Sequence, residues 1–120
     1  MSIIKHFAKG NMCEVEFHLP QQAVKKRREV RVVGEFNDWS WEKGLPMRLE
    51  NGVYIGKVLL PTNSTYQYRY LIDNQYWEND WDADEYVPAD CGVENSVVDT
   101  AIDIVSQGFL HFRKSAIIVT

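Results

Sequence analysis

The fold is decided by the stretch Thr65-Tyr66-Gln67-Tyr68-Arg69-Tyr70-Leu71-Ile72, near the middle of the chain. Three tyrosines and an isoleucine fill its even positions, whereas Gln67, Arg69 and Leu71 fill the odd ones. Successive side chains of a strand point to opposite faces. The stretch therefore predicts a β-strand with one aromatic face and one mixed face that carries Arg69.

The same alternation continues outward from this stretch. From Cys13 to Leu19 the odd positions are apolar and the even ones polar, until Pro20. Asn51-Gly52 is a hairpin signal, and Gly34 within a valine-rich run predicts a bulge or a close backbone approach. Turn signals recur every ~8–12 residues without a long helical period, which predicts an all-β chain folded as an antiparallel β-sandwich. The other predicted strands cover residues 29–36, 47–49, 53–60, 75–77 and 97–104.

The composition is that of a single globular domain with an acidic surface. The 120 residues are 45% hydrophobic, enough for a core, and carry a formal net charge of −4. Contacts to phosphates need clustered Lys and Arg, so this balance argues against nucleic acid and membrane as partners. The N-terminus lacks the apolar run of a secretory signal, and no stretch approaches the ~20 apolar residues of a membrane span. We therefore expect a cytoplasmic protein.

No residue pattern predicts a metal or another cofactor. Cys13 and Cys91 have neither CxxC spacing nor a nearby His pair, which argues against zinc. The series Asp80-x-Asp82-x-Asp84 begins like an EF-hand loop, but residues 85 and 91 are Glu and Cys where such a loop needs Gly and Glu. We expect an ordinary solvated acidic loop there.

The tryptophans all lie between residues 39 and 81, in the middle part of the chain. A tryptophan is an efficient core residue, so packing is the ordinary interpretation of any single one. Here two of them stand in polar, turn-prone surroundings, in the segments 36–41 and 77–80. An indole face accepts the C–H patch of a pyranose ring, and polar side chains around it bind the hydroxyls. The pattern therefore favours a sugar polymer as ligand. The four tryptophans are Trp39, Trp41, Trp77 and Trp81.

A series of motifs resembles a known family of modules. In chain order they are Val32-Val33-Gly34-Glu35-Phe36-Asn37-Asp38-Trp39, Leu45-Pro46-Met47, Gly52-Val53-Tyr54, Leu60-Pro61, Tyr66-Gln67-Tyr68-Arg69-Tyr70-Leu71-Ile72-Asp73 and Glu94-Asn95-Ser96-Val97-Val98. This series is similar to the glycogen-binding (isoamylase N-terminal, early set) modules of carbohydrate-binding family 48, including short stand-alone bacterial members. The resemblance implies an immunoglobulin-like sandwich that binds α-1,4-glucan without catalysis.

The resemblance also implies a set of binding residues. Trp39 would stack on glucose, with Asn37 in the same loop as a further candidate, and Arg69 would bind hydroxyls. Trp77 matches the second stacking tryptophan of the family, although an inserted residue leaves Tyr76 as a rival. Trp41 and Trp81 would then be supports or core residues. Asn95 matches the asparagine of the final turn.

The chain departs from the family pattern at two positions. Asn74 replaces the glycine of the turn, although asparagine also adopts positive φ. Cys91 stands where the family has a leucine that contacts the glucan, which bears on affinity.

Three segments are expected along the chain: an N-terminal arm over residues 1–11, the sandwich over 12–99, and an extension over 100–120 that adds a strand or a hairpin. The hairpin would join Phe109–Phe112 to Ile117–Val119, although a helical face also fits part of this tail. Gly108 favours strand.

Two functions from different classes stay open. The first is glucan binding, in which glycogen-metabolising enzymes are the expected protein partners. The second is a protein–protein interaction module with the same fold and a degenerate sugar site. That module would dock, or form a homodimer, through the apolar tail.

Overall fold

The computed structural model describes residues 3–26, 28–104, 110–112 and 116–118, and the predicted fold class is confirmed. The described chain is all-β, and its two main sheets pack face to face as an immunoglobulin-like sandwich. The strands are β1 Ile3–Ala8, β2 Met12–Pro20, β3 Val30–Gly34, β4 Leu45–Pro46, β5 Arg48–Glu50, β6 Val53–Pro61, β7 Thr65–Ile72, β8 Tyr76–Glu78, β9 Glu85–Pro88, β10 Glu94–Asp99, β11 Ile102–Ile104, β12 Leu110–Phe112 and β13 Ala116–Ile118. Short 3₁₀ turns cover Gln21–Ala23, Glu35–Asn37 and Asp90–Gly92.

The first sheet has the strand order β13-β1-β2-β6-β5. Its neighbours are antiparallel except for β1 and β13, which run parallel. The second sheet has the order β4-β3-β7-β10-β9, and β8 pairs with the last residues of β7. Strand β7 therefore lies in the middle of the second sheet, and its outward-facing side chains, among them that of Arg69, are held by strands on both sides.

The core lies between the two sheets and follows from the period of two. Every odd residue from Cys13 to Leu19 is fully buried, as the alternation predicts. On β7 the rings of Tyr68 and Tyr70 are fully buried, and Phe17 packs against Tyr68 with ring centroids 4.8 Å apart. Burying an aromatic side chain of this kind contributes on the order of 2 kcal/mol each.

The strand predictions hold in the middle of the chain and need adjustment at their ends. The predicted bounds of β7 are confirmed. The strand predicted over residues 29–36 ends at Gly34, where the 3₁₀ turn begins. The strand predicted over 97–104 is interrupted at Thr100, because its backbone N–H and hydroxyl both bond to the carbonyl of Ser64.

The expected N-terminal arm is not an arm. Residues 3–8 form β1, which pairs with β2 along its whole length. Ile3 and Phe7 are buried in the core. The buried position between them is Lys5, a charge that breaks the apolar alternation and conceals the strand in the sequence.

The C-terminal extension adds strands, but not in the expected pairing. Strand β12 pairs with β11, and β13 joins the edge of the first sheet beside β1, so the two segments expected to form one hairpin have different partners. Phe109 and Val119 lie outside the described residues.

Candidate functional site

The loop after β3 presents Trp39 through an unusual backbone path. Asp38 and Trp39 both have positive φ, 58° and 56°, which is uncommon for residues other than glycine. The turn is closed by the backbone N–H of Trp39, which donates to the carbonyl of Gly34 at 2.9 Å. The left-handed pair therefore holds a large, half-buried ring at the edge of the second sheet.

Asn37 fixes this loop from beneath. Its Oδ1 accepts from the backbone N–H of Gly34 at 2.9 Å, and its Nδ2 donates to the carbonyl of Val32 at 3.0 Å. Both ends of the amide are thus bonded to backbone. Asn37, a candidate for sugar contact, has the geometry of a residue that shapes the loop.

Arg69 lies between the two tryptophans that the sequence singles out. Its guanidinium carbon is 4.4 Å from the ring centroid of Trp77 and 5.7 Å from that of Trp39. Nε of Arg69 is buried without a hydrogen-bond partner in the described part of the chain. Desolvation lowers the pKa of this guanidinium. Among the described residues no carboxylate pairs with Arg69, and its guanidinium contacts the two indoles instead.

The register of β7 and β8 decides between Trp77 and Tyr76. Trp77 is opposite Leu71, and Tyr76 is opposite Ile72. Side chains that are directly opposite share a face of the sheet, so Trp77 shares the face of Leu71 and Arg69. Tyr76 points to the other face, where Arg28 approaches its ring at 5.6 Å. Only Trp77 belongs to the arrangement around Arg69.

A polar cleft of about 250 Å³ adjoins the ring of Trp39. Its lining includes Trp39, Arg69, Asn95, Gln67 and Glu35. Nδ2 of Asn95 donates to Oε1 of Gln67 at 2.9 Å, and the backbone N–H of Gln67 donates to Glu35 at 2.7 Å. These hydrogen bonds connect β7 with β10 and with the turn Glu35–Asn37.

Sequence reasoning missed Gln67 and Glu35 as members of the site. Both lie inside the motifs that carry the family resemblance. Gln67 is also two residues from Arg69, and hence on the same face of β7. That spacing was the available signal.

A family comparison supports what the geometry suggests. The model of the starch binding domain family, carbohydrate-binding module family 20, matches residues 12–97. The chain belongs to the starch binding domain family. No curated protein matches it.

Membership of the starch binding domain family makes the chain a carbohydrate-binding module, the class that the sequence predicted. The matched family is number 20 and not number 48, so the finer assignment changes. The modules of the matched family bind and generally do not catalyse. In the described residues, no helix combines the length and the apolar character that crossing a membrane requires.

In this starch binding domain, Asp80 is buried on the inner side of β7 and bonds to two core tyrosines. Its buried carboxylate accepts from the hydroxyls of Tyr68 at 2.6 Å and Tyr70 at 3.0 Å. Burial is the largest cause that raises the pKa of both tyrosines well above the ordinary value, and the carboxylate of Asp80 adds to it. Asp84 pairs instead with Lys5 at 2.7 Å. The acidic residues of this loop are thus partly structural, and among the described residues no group of three or more His, Cys, Asp or Glu could hold a metal ion.

The remaining tryptophans differ from each other. Trp41 is half-buried, and the guanidinium of Arg31 lies 4.4 Å from its ring, which fits a supporting role. Trp81 is 51% exposed and donates to Glu78 at 3.2 Å, so it is not a core residue.

The two cysteines are free. Cys91 is exposed, in a left-handed conformation within the turn Asp90–Gly92, and its neighbour Asp90 lines the cleft. Cys13 is buried, and burial raises the pKa of its thiol to about 11.

Proposed function

We propose that this chain binds α-1,4-glucans of the glycogen or starch type, without catalysing a reaction, by stacking sugars on Trp39 and Trp77 around Arg69. The observation that carries the proposal is that two indoles, those of Trp77 and Trp39, lie 4.4 and 5.7 Å from one guanidinium. Partnership with glycogen-metabolising enzymes and dimerisation through residues 100–120 stay predictions.

The chemistry of the two rings suits a pyranose. Trp77 is 47% exposed at a sheet edge, so its ring is accessible to a ligand. Its indole face would accept the C–H patch of a sugar ring. Two such rings separated by a guanidinium would contact successive residues of one glucan chain.

Arg69 supplies the polar half of the recognition. A guanidinium has five donors and no acceptor, and a sugar hydroxyl can accept from it. Because the indoles already hold it, little side-chain entropy is lost when it bonds a ligand. Asn95 belongs to the same cleft.

The test is calorimetric titration with maltoheptaose, together with gel retardation by soluble starch. We expect Trp39→Ala and Trp77→Ala each to weaken binding by about 2 kcal/mol, roughly 30-fold, as for aromatic side chains that a ligand covers on binding. Trp81→Ala is the matched control, since Trp81 is as exposed as Trp77 but its indole bonds to Glu78, whereas the ring of Trp77 contacts the guanidinium of Arg69. Dextran, linked α-1,6, should compete poorly.

Two outcomes would contradict the proposal. One is an unmodified protein that shows no binding at millimolar maltoheptaose. The other is a loss in Trp81→Ala as large as the loss in Trp39→Ala or Trp77→Ala.

A further inference from the structure

Resting on the glucan-binding function just proposed, we infer that Gln67 is a sugar-contacting residue and that Asn95 acts through it as a positioning residue. This assignment differs from the expectation that Asn95 itself binds the sugar. The assignment follows from which atoms of the two amides are already hydrogen-bonded or buried, and which remain accessible to a ligand.

Asn95 is poorly placed to meet a ligand directly. The residue is only 8% exposed, and its Oδ1 is buried without a hydrogen-bond partner in the described residues. Its Nδ2 is already bonded, to Oε1 of Gln67 at 2.9 Å. Nδ2 of this amide is thus occupied by Gln67, and its Oδ1 is shielded from solvent.

Gln67 is placed better. It is half-buried, lines the cleft and lies two residues before Arg69 on the same face of β7. Because Asn95 donates to its Oε1, the amide of Gln67 is fixed with Nε2 on the other side. In the described chain no group accepts from that Nε2.

The cleft therefore presents two neighbouring groups that donate, the guanidinium of Arg69 and the amide of Gln67. Side chains at positions i and i+2 of a strand have Cα atoms roughly 7 Å apart, a spacing set by the rise per residue. Long side chains from these positions can converge on neighbouring hydroxyl oxygens of one or two glucose residues. Asn95 serves this arrangement by selecting the orientation of the Gln67 amide.

The backbone of Gln67 is fixed as well. Its N–H donates to the carboxylate of Glu35, which begins the turn leading to Trp39. The amide donor and the stacking ring are therefore held in register with each other. We expect affinity to depend on this alignment more than folding stability does.

The test compares Gln67→Met and Gln67→Glu by titration with maltoheptaose. Methionine removes both polar atoms, whereas glutamate keeps the acceptor for Asn95 and loses the donor. If Gln67 donates to the sugar, both substitutions weaken binding roughly three- to tenfold, as the loss of one hydrogen bond predicts. If Gln67 merely orients Asn95, Gln67→Glu retains the affinity of the unmodified protein, and the inference is overturned.

A double-mutant cycle separates the roles further. Asn95→Ala should weaken binding roughly two- to fivefold alone, and less than twofold when added to Gln67→Met, because Asn95 acts through Gln67. An undiminished effect of Asn95→Ala in the Gln67→Met background would overturn the inference. The substitutions at 67 and at 95 give separate evidence if one variant does not fold. Absence of binding by the unmodified protein would instead count against the proposed function.

Discussion

At the scale of single residues, the site depends on side chains that hold other side chains in place. Asn37 is the clearest example, since its amide bonds to the backbone of Gly34 and Val32 at once. These bonds support the left-handed backbone at Asp38 and Trp39, which is strained for residues other than glycine. The conformation of the loop, and with it the position of the Trp39 ring, rests on this amide.

Replacing Asn37 tests that role. Asn37→Ala should lower the free energy of unfolding by about 1–3 kcal/mol, because two partly buried backbone groups lose their partner. Asn37→Asp keeps an acceptor for Gly34 and should lose less. Urea unfolding of the three proteins measures the difference. An Asn37→Ala variant as stable as the unmodified protein would contradict this role.

The sequence predicts the position of a single side chain well only where one local pattern, such as strand alternation, determines it. The alternation along β7 places Arg69 on the outer face without further help. The choice between Trp77 and Tyr76 depends on the register of β7 against β8, which the inserted turn residue hides. For Gln67 the spacing of two residues from Arg69 indicates only the shared face, and the bonds of Gln67 and Glu35 could not be predicted because they join elements distant along the chain.

At the scale of elements, the site depends on how closely β3 approaches β7. Gly34 is opposite Tyr68, and a Cβ at residue 34 would collide with the carbonyl oxygen of Gln67. The expected close backbone approach at this glycine is confirmed. The same residue begins the turn that carries Trp39, so packing between the strands and placement of the ring are coupled.

Gly34→Ala should therefore destabilise the domain by about 3 kcal/mol, since the clash is with backbone that cannot move aside. Gly10→Ala is the control: a Cβ there meets open space, and only the positive φ of 80° costs about 1 kcal/mol. Thermal unfolding of both variants provides the comparison. Equal losses in the two variants would mean that the approach of β3 to β7 is not tight.

Elements near the chain ends were predicted less well than those in the middle. The alternation and turn signals located β2 and β7 and the hairpin of β5 with β6. Strand β1 escaped because a buried lysine occupies its central inward position. The pairing of β13 with β1 joins the two ends of the chain, and no local pattern reports such a contact.

At the scale of the whole molecule, a buried ion pair joins the N-terminal strand to the loop beneath the site. Nζ of Lys5, which is fully buried, lies 2.7 Å from Asp84 in the segment between β8 and β9. That carboxylate also accepts from the backbone N–H of Asp99 at 2.8 Å. The ion pair thus connects β1 with the segment that follows β8, the strand that carries Trp77.

Breaking this pair should affect the whole domain. Lys5→Met leaves Asp84 buried without its cation, and we expect a loss of about 3–5 kcal/mol. Combining it with Asp84→Asn removes the stranded charge and should restore part of the loss. Chemical denaturation of the four proteins gives the coupling energy. A loss below about 1 kcal/mol in Lys5→Met would mean that β1 is an accessory arm after all.

The central claim is that a glucan lies across Trp39 and Trp77, and the indole N–H signals test it most directly. The four tryptophans of the chain give four such signals in a proton–nitrogen correlation spectrum. On titration with maltoheptaose, the signals of Trp39 and Trp77 should shift together with one dissociation constant. The signals of Trp41 and Trp81 should move little. Shifts confined to Trp41 or Trp81, or no shift at any indole at saturating sugar, would contradict the claim.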